Sequence, residues 1–166
     1  MDTLFQILPK LYTLLYKRYG PQHWWPSESR FEIVVGAILT QNTNWRNVER
    51  ALANLKEAGA MSPNRILEIP QDTLAALIRP SGYFNSKAKK LKAFANVLVE
   101  HHNGDLNHLF VQPHLVLRQE LLSIYGIGNE TADDIMLYAA GLPSFVIDSY
   151  TVRIMTRLGV ISGKPS

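Results

Sequence analysis

Apolar residues recur at spacings of three and four along most of this chain. Leu4, Ile7, Leu8, Leu11, Leu14 and Leu15 mark one face of an amphipathic helix, which Gly20-Pro21 ends. Ser29-Arg30-Phe31-Glu32 is a capping box and opens a helix whose apolar face is Phe31, Val34, Val35, Ile38 and Leu39. Four polar residues, Gln41-Asn42-Thr43-Asn44, break it. Asn44 caps the next helix, which carries Trp45, Val48, Leu52 and Leu55. Ser62-Pro63 starts a short helix running to Ile69, and residues 70–78 form another, stopped before Pro80. A long helix over 86–99 buries Leu91, Phe94, Ala95, Leu98 and Val99, and Gly104 closes it. After a single turn at 105–110, Pro113 opens a helix that reaches about Ser123. Residues 131–140 form the next, bounded by Gly141 and Pro143, and 149–158 the last, stopped at Gly159. Val97-Leu98-Val99 and Phe145-Val146-Ile147 are too short to alternate as strands. The pattern predicts about nine helices and an all-α fold, with a polar tail over 162–166.

Composition narrows this picture. The chain has 166 residues, 46% of them hydrophobic, enough for one domain or two small lobes with a real core. Seventeen Lys+Arg against 14 Asp+Glu give a net charge of +3, mildly basic and compatible with nucleic acid. No cysteine is present, which excludes disulfides and thiolate chemistry. No apolar run reaches membrane-spanning length, and residues 1–20 lack a charged-then-apolar signal pattern. The expectation is a soluble cytoplasmic protein without a membrane partner, nucleoid-associated if prokaryotic.

Candidate chemistry concentrates in residues 121–157. Gly126-Ile127-Gly128 interrupts two helices; glycines there permit positive φ and close approach of backbone to a ligand, and the following helix start suits an anion. The stretch is either a backbone phosphate grip or a plain helix-turn-helix connection. Asp148 follows the apolar run Phe145-Val146-Ile147 at the start of the last helix, as an N-cap or as a reacting carboxylate. Adjacent Trp24 and Trp25 cannot share one core face, so one of them faces solvent or a cleft. They either cover a lobe junction or form a stacking wall. Trp45 is core or a second wall. Lys87, Lys89, Lys90 and Lys92 load the first half of the long helix, as a solvated face or as a contact to a phosphate backbone.

Leu122-x-x-Tyr125-Gly126-Ile127-Gly128-x-Glu130-Thr131-Ala132 followed by Val146-Ile147-Asp148 resembles the helix-hairpin-helix and aspartate of the endonuclease III superfamily of DNA glycosylases. Glu130 and Asp148 lie 18 residues apart, the superfamily's spacing between its lysine position and its aspartate. Trp24-Trp25-Pro26, residues 36–43 (GAILTQNT) and residues 79–88 (RPSGYFNSKA) extend the resemblance over roughly 20–160, closest to the branch that excises 3-methyladenine. It implies a two-lobed fold. Residues 28–128 would form a six-helix barrel with the hairpin at 124–129; residues 1–27 and 129–166 would belong to a second lobe. It implies duplex DNA with a damaged base as the partner, gripped by Tyr125, Gly126, Ile127, Gly128, Lys87 and Lys89. Gln41 and Asn42 would enter the duplex, with Gln41 filling the gap left by an extruded base; the alternative is that Gln41 is a helix-end polar residue bonding local backbone. Trp24, Trp25, Pro26 and Trp45 would wall the base pocket. No cofactor is required. The iron–sulfur cluster of many relatives is excluded within a chain that has no cysteine, and no metal is expected in the chemistry. Hairpins of the family often coordinate a monovalent cation through backbone carbonyls.

Breaking an N-glycosidic bond develops positive charge on the sugar, which a fixed carboxylate stabilises while orienting or deprotonating a water. Asp148 is the candidate. Relatives that also cut the strand place a lysine at position 130, whose amine forms a Schiff base; Glu130 cannot, which predicts a monofunctional glycosylase leaving an abasic site. Glu130, Asp133 and Asp134 crowd the second hairpin helix, and two of them are expected to turn away from DNA. A cationic 3-methyladenine suits an aromatic slot. An enzyme for oxidised or mismatched bases, or a non-catalytic DNA-binding module, are the alternatives. Relatives continue beyond the aspartate helix, so the chain reads as a C-terminally truncated fragment, or as a homodimer that covers the exposed surfaces.

Overall fold

The computed structural model describes residues 4–161, with side chains from residue 6 onward; the expected tail at 162–166 and the side chain of Leu4 lie outside them. The described residues form helices α1 (Leu4–Tyr19), α2 (Arg30–Leu39), α3 (Trp45–Glu57), α4 (Pro63–Glu68), α5 (Gln71–Leu77), α6 (Phe84–His102), α7 (Leu106–Phe110), α8 (His114–Ser123), α9 (Asn129–Asp134) and α10 (Ser149–Arg157). A 3₁₀ turn spans Arg79–Ser81, and α9 runs into a π-turn at Ile135–Ala139. Among these residues there is no strand. The all-α expectation holds. The long helix starts two residues earlier and ends three later than its apolar pattern suggested. Its true stop is the left-handed Asn103 at φ +55°, followed by Gly104 at +73°.

The described residues form two compact units, 27–146 and 4–26 with 147–161. The larger is built around α2, where every residue from Phe31 to Leu39 is buried, Glu32 included. Its sequence is apolar almost all round, as suits a central helix. The π-turn, α3, α6 and α9 pack on it, and α4 and α5 pack along α6. Ile38, Leu39, Leu55, Ile66, Leu74, Phe94, Leu98, Leu117 and Leu121 are fully enclosed, each worth about 1.5–3 kcal/mol of burial. The boundary read at 128/129 falls inside this unit, because α9 packs on α2 and α8.

Caps set the element starts. Ser29, Asn44 and Ser62 each accept the backbone N–H three residues on, contributing about 1 kcal/mol apiece. Glu32 does not close the capping box on Ser29. Its carboxylate accepts from the Glu28 N–H at 2.9 Å and pairs with Lys56 at 2.9 Å, which is how a charged side chain sits inside α2.

In the smaller unit, α1 departs from its pattern. Ile7, Leu8 and Leu11 are half-buried, but Leu14 and Leu15 remain 66% and 46% exposed.

Candidate functional site

The hairpin joins α8 to α9 through residues 124–128. Ile124 and Ile127 are buried and pin the turn to the unit, and the Ile127 N–H donates to the Ile124 carbonyl at 3.1 Å. With those two anchors inward, Tyr125, Gly128, Asn129 and Glu130 are exposed. Only one of the two glycines uses its conformational freedom. Gly126 sits at φ +83°, whereas Gly128 is extended at φ −97°, ψ −176°, with open space where a Cβ would stand. The reason for glycine at 128 is therefore not its backbone angle.

Gln41, at the end of α2, is half-buried against this turn. Its amide donates to the Gly126 carbonyl at 3.1 Å and to Thr131 Oγ1 at 2.9 Å, while its Oε1 accepts from the Lys90 ammonium. The Lys90 stem occupies the space beside Gly126; a Cβ there would lie within 2.7 Å of Lys90 Cγ, Cδ and Cε. Asn42 follows at φ +53°, exposed. Gln41, Asn42, Tyr83, Ser86, Lys87 and Lys90 line an open pocket of about 140 Å³ that contains no acidic side chain.

Two residues of the lysine run separate here. Lys89 is exposed. Lys87 is 2% exposed, and its Nζ donates to the carbonyls of Leu39 at 2.8 Å and Ser81 at 2.7 Å. It closes the end of α2 and the 3₁₀ turn with two of its three donors, so Lys87 is a buried structural lysine rather than part of a solvated face. Burial, and then the neighbouring charge of Lys90, lower its pKa to about 8.

The acidic crowd on the second hairpin helix sorts itself. Glu130 is exposed, while Asp133 and Asp134 are buried. Arg118 on α8 meets Asp133 with Nε at 2.9 Å and Nη2 at 3.2 Å, and reaches Asn129 Oδ1 at 3.1 Å. Ser144 donates to the same carboxylate at 2.9 Å. Burial pushes the Asp133 pKa up, but hydrogen bonds from Arg118 and Ser144 outweigh it and hold the carboxyl below its ordinary value. Two of the three acids thus turn inward, and one is neutralised by a bidentate guanidinium.

In the smaller unit, Trp24 is 52% exposed and Trp25 half-buried, with ring centroids 6.2 Å apart and planes at 59°. The two neighbours do differ in burial, as adjacency requires. Pro26 is exposed and ends this segment. Asp148 is half-buried at the start of α10, and its Oδ1 accepts the Thr151 N–H at 2.7 Å. It is an N-cap in geometry, through one of its two oxygens. Trp45 belongs to the larger unit, half-buried, with its indole N–H on Glu49 at 3.0 Å.

The sequence reading missed Lys90, Thr131 and Arg118. Lys90 lay inside the lysine run, and its distinction from Lys87 and Lys89 is a matter of helix face. Arg118 and Asp133 sit 15 residues apart across the turn, a signal that only the hairpin geometry makes visible.

Comparison with known proteins follows the same lines. Residues 35–166 match the family of HhH-GPD superfamily base excision DNA repair proteins. A Methanocaldococcus jannaschii protein named as a candidate DNA repair glycosylase is 50% identical over 98% of this chain and 74% of its own length. Endonuclease III of Sulfolobus acidocaldarius is 34% identical over 81% of this chain and 59% of its own length. The crystal structure of H. pylori 3-methyladenine DNA glycosylase bound to 1,N6-ethenoadenine is 33% identical, with a TM-score of 0.80 over 95% of this chain and 74% of that one. The chain belongs to the HhH-GPD superfamily of base excision repair DNA glycosylases.

Proposed function

We propose that the protein binds duplex DNA and hydrolyses the N-glycosidic bond of a flipped alkylated base, 3-methyladenine in first place, leaving an abasic site on an intact strand. The observation that carries the absence of strand cleavage is Glu130: the hairpin exposes a carboxylate where strand-cutting relatives carry an amine, and a carboxylate forms no Schiff base. The H. pylori 3-methyladenine glycosylase, at 33% identity, supports the alkylated substrate.

Asp148 supplies the charge. As the sugar becomes oxocarbenium-like, a carboxylate held by its cap bond to Thr151 stabilises the developing positive charge, and orients or deprotonates the attacking water. Exposed Trp24 stacks on the cationic base, beside half-buried Trp25 and exposed Pro26 of the same unit. Tyr125, Gly126, Gly128 and Lys89 hold the backbone, with buried Ile127 anchoring the turn beneath them. A monovalent cation on the hairpin would draw on backbone carbonyls, but those of Ile124, Gly126 and Gly128 already accept from Ile127, Gln41 and Ala132. Each of these carbonyls keeps a second lone pair for such an ion, and no step depends on it.

The test is base release from methylated, oxidised and mismatched duplexes, with the free base identified by chromatography and the strand analysed before and after alkali. We expect 3-methyladenine release and strand breaks only after alkali. Direct cleavage trapped by borohydride would show an amine nucleophile and end the monofunctional reading. Duplex binding without release from any substrate would favour a DNA-binding module instead.

A further inference from the structure

We infer that Lys90 is a positioning residue for the hairpin's grip on DNA, acting through Gln41 rather than by touching phosphate itself. The inference rests on the proposed DNA binding and concerns a chain of hydrogen bonds inside the larger unit. Donor chemistry fixes its order. An ammonium only donates, so the Gln41 atom facing Lys90 is the carbonyl oxygen. A peptide carbonyl only accepts, so the atom facing Gly126 is the amide nitrogen, which also reaches Thr131 Oγ1. Both ends demand the same orientation of one amide. Lys90 therefore determines which way Gln41 points, and Gln41 ties the carbonyl of the turn's positive-φ residue to the first turn of α9.

The Lys90 stem adds a second constraint. It lies against Gly126 where any side chain would stand, so the turn is held from its side as well as through its carbonyl. Gln41 and Lys90 also line the open pocket with Asn42, Tyr83, Ser86 and Lys87. The network thus reaches from a solvent-accessible surface to buried Thr131, which is 4% exposed. Sequence-independent binding by a hairpin depends on where its backbone stands. Anything that loosens residue 126 then weakens binding to every duplex alike.

The prediction concerns two side chains joined only by way of Gln41. Lys90→Met keeps the apolar stem and removes the donor; Thr131→Val keeps the shape and removes the acceptor. Affinity for undamaged duplex is measured for each variant, for the pair, and for the pair in a Gln41→Met background, with salt titrations throughout. We expect each single variant to bind several-fold more weakly and the pair to be little worse than the poorer single. That non-additivity should vanish once Gln41 is gone. The dependence of log K on log salt should be unchanged, because no phosphate contact has been lost. Lys90→Gln, neutral but still a donor, should restore most of the affinity at the same salt slope. This variant also carries the test if Lys90→Met fails to fold. A salt slope reduced by about one in Lys90→Met or Lys90→Gln would mean a direct phosphate contact and overturn the inference. Additive losses, or full affinity in both single variants, would overturn it too. If the unsubstituted protein binds no duplex, the DNA-binding reading falls and takes the inference with it; normal binding with unresponsive variants sinks the inference alone.

Discussion

Asp148 carries two duties that one substitution can separate. An asparagine keeps a cap acceptor for the Thr151 N–H and loses the charge; an alanine loses both. Asp148→Asn should therefore unfold at the wild-type temperature yet lose about 100-fold or more in base excision, the scale of removing one preorganised electrostatic partner. Asp148→Ala should lose a further 1 kcal/mol or so of stability through the cap. Single-turnover excision and thermal unfolding measure both, and near-normal excision by the asparagine variant would remove Asp148 from the mechanism. The two hairpin glycines divide in the same way. Gly126→Ala places a Cβ at φ +83° and drives the Lys90 stem aside, so it should cost roughly 1 kcal/mol or more. Gly128→Ala meets open space in an extended backbone, so its stability should be unchanged and any deficit should appear only in duplex affinity. Equal loss of stability in both would contradict this assignment. The sequence motif treats these glycines alike because spacing cannot report φ. It treats Lys87 and Lys89 alike because a lysine's fate depends on where the carbonyls of Leu39 and Ser81 come to lie.

At the scale of elements, the hairpin is locked by Arg118 and Asp133, which tie α8 to α9. Arg118→Met leaves a buried carboxylate without its cation and should destabilise by about 2–3 kcal/mol, less than for a fully buried pair because Arg118 is partly exposed. Its pH dependence has a definite sign. Asp133 has a folded pKa below the ordinary value of 3.8, so the stability it contributes is complete above that value. It is lost as pH falls through the lower, folded pKa. The gap in denaturation midpoint between the wild type and Arg118→Met should thus be constant at neutral pH and shrink in acid. A gap independent of pH down to complete protonation would show that Arg118 acts through packing alone. Helix starts were legible in advance because Ser29, Asn44, Ser62 and Asp148 are local signals that act within one turn. The π-turn at Ile135–Ala139 was not. It reads as plain helix in sequence, and the wide hydrogen bond from the Ala140 N–H to the Ile135 carbonyl arises where this stretch packs on α2.

For the whole molecule, the apolar pattern placed the elements and left open how much of the α1 stripe would find cover. A stripe at helical spacing says which face of α1 wants cover, and says nothing of whether cover is present. The larger unit meets that demand, since its α2 is enclosed from Phe31 to Leu39. In the smaller unit, Tyr12, Leu14, Leu15, Tyr16 and Tyr19 on α1 are 46–66% exposed, and Tyr150 and Ile154 on α10 and Leu158 just after it are 44–62% exposed. Tyr12 and Tyr16 stack on each other at 5.8 Å, an apolar surface already ordered for contact. Tyr12, Leu15, Tyr16 and Tyr19 share one face of α1 at helical spacing, and an exposed apolar face of this kind favours association. We propose that this 166-residue chain self-associates through α1, and that light scattering across a concentration series should give a mass above the 18.8 kDa of one chain. Tyr12→Gln combined with Tyr16→Gln should return it to the monomer mass while it stays folded, because both side chains are mostly exposed where they stand. A wild-type mass of one chain at every concentration would refute the contact, and a double variant that still associates would move it away from α1.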